Sequence, residues 1–310
     1  MFGKNEIVGQ KYFKPVEDTD KLFVTSRFMT LQGEGPYRGE PAFFIRLAKC
    51  NLNCSFCDTF FDDGDWMTFD EIEHAINYTI DEFFEKQGLD RPEWAQYWSS
   101  EFKKNPTNLM DDIMPSRPAK KMQMVLVMTG GEPMLQKNIG PFLERMSYIF
   151  ENTQIESNGT IVQQIPNTTT LVVSPKCAEK NGVATKYLAP KHEMLKRADC
   201  LKFVMSADPD SPYNEIPEWA HIWRKETGKP IYISPMNIYN TLPQKSKMVR
   251  AAQNDITIDQ RSTIDEVISF WEPGLLDMKA NQRNHEYAAA YCVKHGFTLN
   301  LQLHLYASLP

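Results

Sequence analysis

Cys50-Asn51-Leu52-Asn53-Cys54-Ser55-Phe56-Cys57-Asp58-Thr59 places three thiols within eight positions. The segment follows the apolar run Ala42-Phe43-Phe44-Ile45 and then Arg46-Leu47-Ala48-Lys49, so it reads as a loop just past a buried strand. Such a loop can wrap one metal centre with three sulfurs. A structural zinc site needs four closed nitrogen or sulfur ligands in two paired groups. Cys177, Cys200, Cys292 and six histidines are present, but none forms a second close pair. Inert, packed thiols suit the segment poorly, because Asn51, Asn53 and Asp58 make it polar. A three-thiolate iron–sulfur cluster leaves one iron open, and an open iron is a place for a ligand or substrate to bind.

Outward from the loop, the chain punctuates itself. Upstream, residues 1–21 are mixed and polar and read as a leader, and Lys21 to Thr30 reads as extended. Gln32-Gly33-Glu34-Gly35-Pro36 is a turn by its glycines and proline, with a plain hairpin as one reading of it. Downstream, Thr68-Phe69-Asp70-Glu71 has the form of a capping box for a helix through Ile72, Ala75, Ile76 and Thr79. Residues 82–120 break the pattern with charges, prolines, Trp94 and Trp98, the tryptophans reading as satellite packing rather than a stacking platform for bases. Met122 to Met128 reads as a buried strand running into Thr129-Gly130-Gly131-Glu132-Pro133.

The spacing then predicts a helix over 136–151 and strands near Thr153–Glu156, Thr170–Val173, Leu201–Met205 and Pro230–Ile233. A helix near 214–227, a second insertion over 240–275, a helix over 284–293 stopped by Gly296, and a final strand from Phe297 to His304 complete the pattern. Strands alternating with helices argue for βαβ units and a mainly parallel sheet. Polar residues at successive strand ends gather at one rim, as in barrel enzymes. The fold class expected is α/β, a partial (β/α) barrel in one domain spanning 1–310.

Composition bounds the function. Acidic residues outnumber basic ones 40 to 34, for a formal charge of −6 over 310 residues, and no extended basic tract is present. Tracking of a nucleic-acid backbone is not expected. No run approaches the ~18 apolar residues of a membrane span, and no apolar segment of signal-peptide type follows Met1. Three crowded and three scattered cysteines fit a metal site in a reducing compartment better than a disulfide framework, so the expected location is the cytoplasm.

The spacing Cys-x3-Cys-x2-Cys resembles the signature of the radical S-adenosylmethionine (SAM) enzymes. With Leu31-Gln32-Gly33-Glu34-Gly35 upstream, Arg46 before the cysteines, Cys57-Asp58-Thr59 at their end, and Leu301-Gln302-Leu303-His304 running to Pro310, it resembles the 7-carboxy-7-deazaguanine synthase family. The resemblance covers about 22–80, 122–238 and 276–310, leaving 82–120 and 240–275 without counterpart. Leu305 stands where a lysine often follows the histidine in that family.

The resemblance implies a 4Fe–4S cluster on Cys50, Cys54 and Cys57, and Mg²⁺ at Thr59. It implies SAM contacts from Phe56, Cys57, Asp58, Gly131, Glu132, Ser174, Pro175, Lys176, Ser234, Pro235, Met236 and Asn237. It implies substrate contacts from Leu31, Gln32, Gly33, Arg46, Thr129, His304 and the terminal carboxylate of Pro310. The reaction implied is conversion of 6-carboxy-5,6,7,8-tetrahydropterin to 7-carboxy-7-deazaguanine with loss of ammonia, begun by a radical formed from SAM. A homodimer and an electron donor such as flavodoxin are implied as well. Two other readings stay open on the residues: an activase that makes a glycyl radical on a partner protein, and a non-catalytic iron–sulfur or zinc module.

Overall fold

The computed structural model describes residues 20–57, 59–97, 120–238, 244–249, 267–272 and 277–303. Its first unit is a hairpin: β1 (Lys21–Leu31) runs antiparallel to β2 (Pro41–Leu47), with Leu31 opposite Pro41. The turn at 32–36 is therefore a hairpin loop, as one reading of its glycines has it. β3 (Asp65–Thr68) pairs with the far edge of β1. α1 (Phe69–Glu85) begins at the expected capping box, in which Thr68 Oγ1 accepts from Glu71 N at 3.1 Å and Thr68 N donates to Glu71 Oε2 at 2.7 Å. Its last turn passes residue 82, where an insertion was expected to begin, because Phe84 is buried and anchors it. Trp94 packs edge-on against Phe84 at 5.9 Å, in keeping with satellite packing, whereas Trp98 lies outside the described residues.

The chain continues through β4 (Met122–Gly130), α2 (Ile139–Met146), β5 (Phe150–Ser157) and β6 (Thr169–Val173). A small antiparallel hairpin of β7 (Cys177–Lys180) and β8 (Val183–Tyr187) follows, then α3 (His192–Arg197), β9 (Cys200–Met205), α4 (Glu218–Thr227) and β10 (Ile231–Pro235). β11 (Gln244–Val249) and β12 (Val267–Glu272) pair only with each other, and α5 (Met278–His295) leads to β13 (Thr298–Leu299). The main sheet has nine strands in the order β13-β10-β9-β6-β5-β4-β2-β1-β3. Every neighbouring pair from β13 to β2 is parallel. The fold is thus mixed α/β with a mostly parallel sheet, the class expected. No helix among the described residues is long and apolar enough to cross a membrane.

Several boundaries differ from expectation, α5 starting at Met278 rather than near 284 among them, and three do so for a local reason. The helix expected over 136–151 is only α2, because the Gln136 side chain is drawn off to Phe23 and Ala48, and β5 already starts at Phe150. α4 starts at Glu218 rather than near 214, because Pro217 takes an extended ψ of 148° and Tyr213 and Ile216 sink into the core ahead of it. The final strand stops at Leu299, because the Asn300 side chain turns inward and binds Gly35 N at 2.9 Å and Ser234 Oγ at 2.8 Å. The 240–275 stretch carries a two-stranded ribbon that its composition did not announce. Residues 1–19 of the leader and 98–119 of the first insertion lie outside the described residues.

Hydrogen bonding alone shows that the sheet curls. β10 and β1 are six strand steps apart, which in a flat sheet at ~4.8 Å spacing is roughly 29 Å. Yet Ser234 of β10 reaches Glu34, just past β1, at 3.1 Å. The strands therefore wrap into an incomplete barrel, and the β1–β2 loop bridges its open side.

Alternation sorts side chains between the two faces. Phe43, Ile45, Leu126, Met128, Leu171 and Phe203 turn outward into the main core with Ile72, Ile76 and Phe142 from the helices. Each such side chain, once fully buried, contributes about 1.5–3 kcal/mol. Ala42, Val125 and Val127 form a second, small cluster with Tyr37 and Phe44 on the concave face. Register carries this pattern to the rim, where Arg46 pairs with Thr129 and Val204 with Ser234.

Candidate functional site

The concave face opens into a cavity of about 240 Å³ at the C-terminal ends of the parallel strands. The β1–β2 loop contributes Leu31, Gln32, Gly33 and Glu34. Gly35 and Gly39, at φ +72° and +93°, let this loop double back so that Gln32 N donates to Glu40 O and Gly39 N to Gln32 O, both at 2.8 Å. Gln32 is 1% exposed; its Oε1 accepts from Glu34 N, and its Nε2 has no hydrogen-bond partner among the described residues. An orphaned donor in a cavity wall fits a site built to hold a ligand.

The cysteine loop leaves β2 through Lys49, a non-glycine residue at φ +74°. Lys49 N donates to Phe61 O at 2.6 Å, and the Lys49 ammonium donates to the Asp62 carbonyl. Cys50, Cys54 and Cys57 all line the cavity, with Phe56 and Thr59. Asn51 is held on both sides, donating to Thr160 Oγ1 at 2.8 Å and accepting from Asn158 Nδ2 at 2.9 Å. Burial, and then the Glu132 carboxylate, push the Cys50 thiol up, so a bound metal must take the place of its proton. Among the described residues no three His, Cys, Asp or Glu side chains meet closely enough for one metal ion. A cluster makes no such demand, since each thiolate binds a different iron.

The end of β4 presses against this loop. A Cβ on Gly131 would overlap the Lys49 carbonyl, and one on Gly130 would overlap Leu47. Glu132 does not itself line the cavity but sits against its wall: its carboxylate accepts from Ser157 Oγ at 2.8 Å, Asn158 N at 2.7 Å and Met134 N at 3.0 Å, and it is fully buried. What this turn offers the cavity is the backbone of Gly130 and Gly131, with Thr129 beside them.

Beyond β6, Ser174 and Lys176 line the cavity and Pro175 is buried behind them. The Lys176 ammonium donates to Ser174 O at 2.8 Å and to Ser174 Oγ at 2.6 Å. Burial holds its pKa below the usual lysine value, against the opposing pull of Cys54. Beyond β10, Ser234, Pro235 and Asn237 line the cavity, while Met236 serves the frame, its N donating to Met205 O and its O accepting from Asn284 Nδ2. The expected residues Asp58, His304 and Pro310 lie outside the described residues.

Arg46, which the resemblance assigns to the substrate, lies at the cavity wall. Its guanidinium lies 5.0 Å over the Phe28 ring, which stacks on Phe44 at 5.3 Å, and it lines the cavity. Sequence reasoning passed over the floor of the site. Lys202 Nζ reaches Glu34 Oε2 at 2.7 Å and Glu156 Oε2 at 2.6 Å, all three side chains being largely buried. Burial alone would lower the Lys202 pKa, but the two carboxylates outweigh it and raise it. The signal was there: a lysine inside the apolar strand Leu201-Lys202-Phe203-Val204 needs buried partners. Asn158, Ser157, Phe28, Phe44 and Gln302 were likewise not singled out as ligand contacts.

No protein-family model matches the chain. Over 251 residues it is 28% identical to the 7-carboxy-7-deazaguanine synthase of Rhodospirillum rubrum, covering 78% of this chain and 84% of that one. Over 241 residues it is 30% identical to the synthase of Rickettsia prowazekii, covering 78% and 82%. The chain belongs to the 7-carboxy-7-deazaguanine synthase family. As a 7-carboxy-7-deazaguanine synthase family member it is an enzyme of the radical SAM type. The crystal structure of QueE from Escherichia coli aligns over 91% of this chain and 94% of that one, with 17% identity and a TM-score of 0.49.

Proposed function

We propose that this cavity converts 6-carboxy-5,6,7,8-tetrahydropterin to 7-carboxy-7-deazaguanine with loss of ammonia, using a 4Fe–4S cluster, SAM and Mg²⁺. One observation carries the reading: Gln32, Arg46, the three cysteines, Thr59, Gly131, Ser174, Lys176 and Ser234, far apart in sequence, line one cavity. The family membership supplies the reaction.

When bound, the cluster and SAM together supply an electron and a hydrogen-abstracting radical. The protein's part is to bind and orient. Cys50, Cys54 and Cys57 would hold the cluster. The Gly130-Gly131 backbone, Ser174, Lys176, Ser234 and Asn237 form the wall suited to SAM, Lys176 offering a buried ammonium to its carboxylate. Arg46, with its guanidinium over the Phe28 ring, can grip the substrate carboxylate by two parallel hydrogen bonds. Gln32 Nε2 supplies a donor that needs an acceptor from the ligand. The Thr59 hydroxyl is one hard oxygen for Mg²⁺, which takes most of its ligands from water and substrate.

A single catalytic domain, a homodimer, an electron donor of flavodoxin type, and a reducing cytoplasm that keeps the thiols available complete the reading. The test is anaerobic reconstitution with iron and sulfide, then incubation with dithionite, SAM, Mg²⁺ and the carboxytetrahydropterin. Mass spectrometry should find 7-carboxy-7-deazaguanine. 5′-Deoxyadenosine without that product would favour an activase, and neither would leave a binding module.

A further inference from the structure

None of residues 177–187 lines the cavity, yet one side chain from the β7–β8 hairpin reaches the cysteine loop. Glu179 Oε1 accepts from Ser55 N at 2.6 Å, a contact between residues 124 positions apart. Ser55 lies inside the turn that carries two of the three thiols, and that turn closes through Cys57 N donating to Cys54 O at 3.1 Å. Between the first residues of the loop and the hairpin lies a second cavity, of about 420 Å³, lined by Asn51, Leu52, Asn53, Cys177 and Glu179 among others.

Three side-chain attachments tie the loop to the surrounding fold. Asn51 is tied to Asn158 and Thr160, the Phe56 ring meets Tyr213 edge-on at 5.0 Å, and Glu179 holds Ser55. The first two grip the loop before Cys54 and after Ser55, whereas Glu179 holds the peptide directly after Cys54. A carboxylate is an unfavourable neighbour for anionic thiolates, and Glu179 Oε2 is buried without a hydrogen-bond partner among the described residues. The position therefore carries an electrostatic penalty in exchange for a strong, charge-assisted bond to one amide.

We infer that Glu179 is a positioning residue for the metal-binding loop, fixing the Cys54–Cys57 turn through the Ser55 amide so that the two thiols stand at the spacing the cluster needs. The inference rests on the cluster reading above. Three properties follow: the Ser55 amide is protected before any metal arrives, an uncharged acceptor preserves that protection, and the carboxylate's charge is felt by the cluster.

The test uses the full chain with Glu179→Ala and Glu179→Gln. In metal-free protein, hydrogen exchange at the Ser55 amide should quicken roughly 10- to 100-fold in Glu179→Ala, the size of a hydrogen bond to a charged group, and stay within about threefold of wild type in Glu179→Gln, which keeps an acceptor. After anaerobic reconstitution, Glu179→Ala should retain less iron than wild type. Glu179→Gln should keep its iron but show a higher cluster midpoint potential in an electron-spin-resonance titration, since a negative charge has left its neighbourhood. Unchanged Ser55 exchange in Glu179→Ala, or equal loss of protection in both variants, would overturn the inference. If wild type takes up no iron, the cluster reading fails by itself, and the exchange arm still decides whether Glu179 clamps the loop.

Discussion

Three side chains in the cavity answer different questions. Arg46 is held against Phe28 for its fork of donors, so Arg46→Ala should lower kcat/KM roughly 10- to 100-fold, chiefly through KM, the size of a lost charged hydrogen bond; steady-state product formation checks it. Lys202→Met leaves Glu34 and Glu156 facing each other without their shared cation and should destabilise the fold by about 3–5 kcal/mol, read by urea denaturation. Lys176 carries a pH signature. Burial depresses its folded-state pKa, so its contribution to stability is present above the unfolded value of ~10.4 and is lost as pH falls through the folded value. In metal-free protein, wild type should gain stability relative to Lys176→Met as pH rises from neutral toward 10, a trend that denaturation at several pH values will reveal. Cys50, Cys54, Cys57 and Arg46 were legible in the sequence because spacing and flanking motif marked them. Glu156 and Lys202 were not, since their partnership exists only once the sheet brings β5, β9 and the β1–β2 loop together.

At the level of elements, local chemistry told most where it is self-contained. The Thr68/Glu71 box set the start of α1, and Thr68→Ala should cost about 1 kcal/mol, visible as a lowered Tm. Gly296 stopped α5 as expected, in the left-handed conformation its lack of a Cβ permits. Reading failed where a side chain from elsewhere overrode periodicity: Gln136 pulled aside ahead of α2, and Asn300 turned inward after β13. Gly131 shows the converse, a residue whose necessity is visible only in three dimensions. Gly131→Ala would force β4's end away from the Lys49 carbonyl and displace Cys50, so reconstituted protein should hold markedly less iron than wild type while its far-ultraviolet circular dichroism is unchanged.

For the whole molecule, alternation of strands and helices was enough to foresee a curled, mostly parallel sheet with its site at one rim. The strand order and the antiparallel β1 and β3 at one edge were not foreseeable, because they depend on pairings between distant segments. The open side of the barrel is bridged by side chains, Asn300 to Gly35 and Ser234, and Ser234 to Glu34. That bridge has its own consequence. Parting β4 from β5 means breaking a ladder of backbone bonds, whereas this seam is latched by side chains, the Lys202–Glu34 ion pair among them, and by the backbone bond from Leu303 N to Gly33 O, so the vessel is closed by a row of separate clasps rather than by a continuous weld.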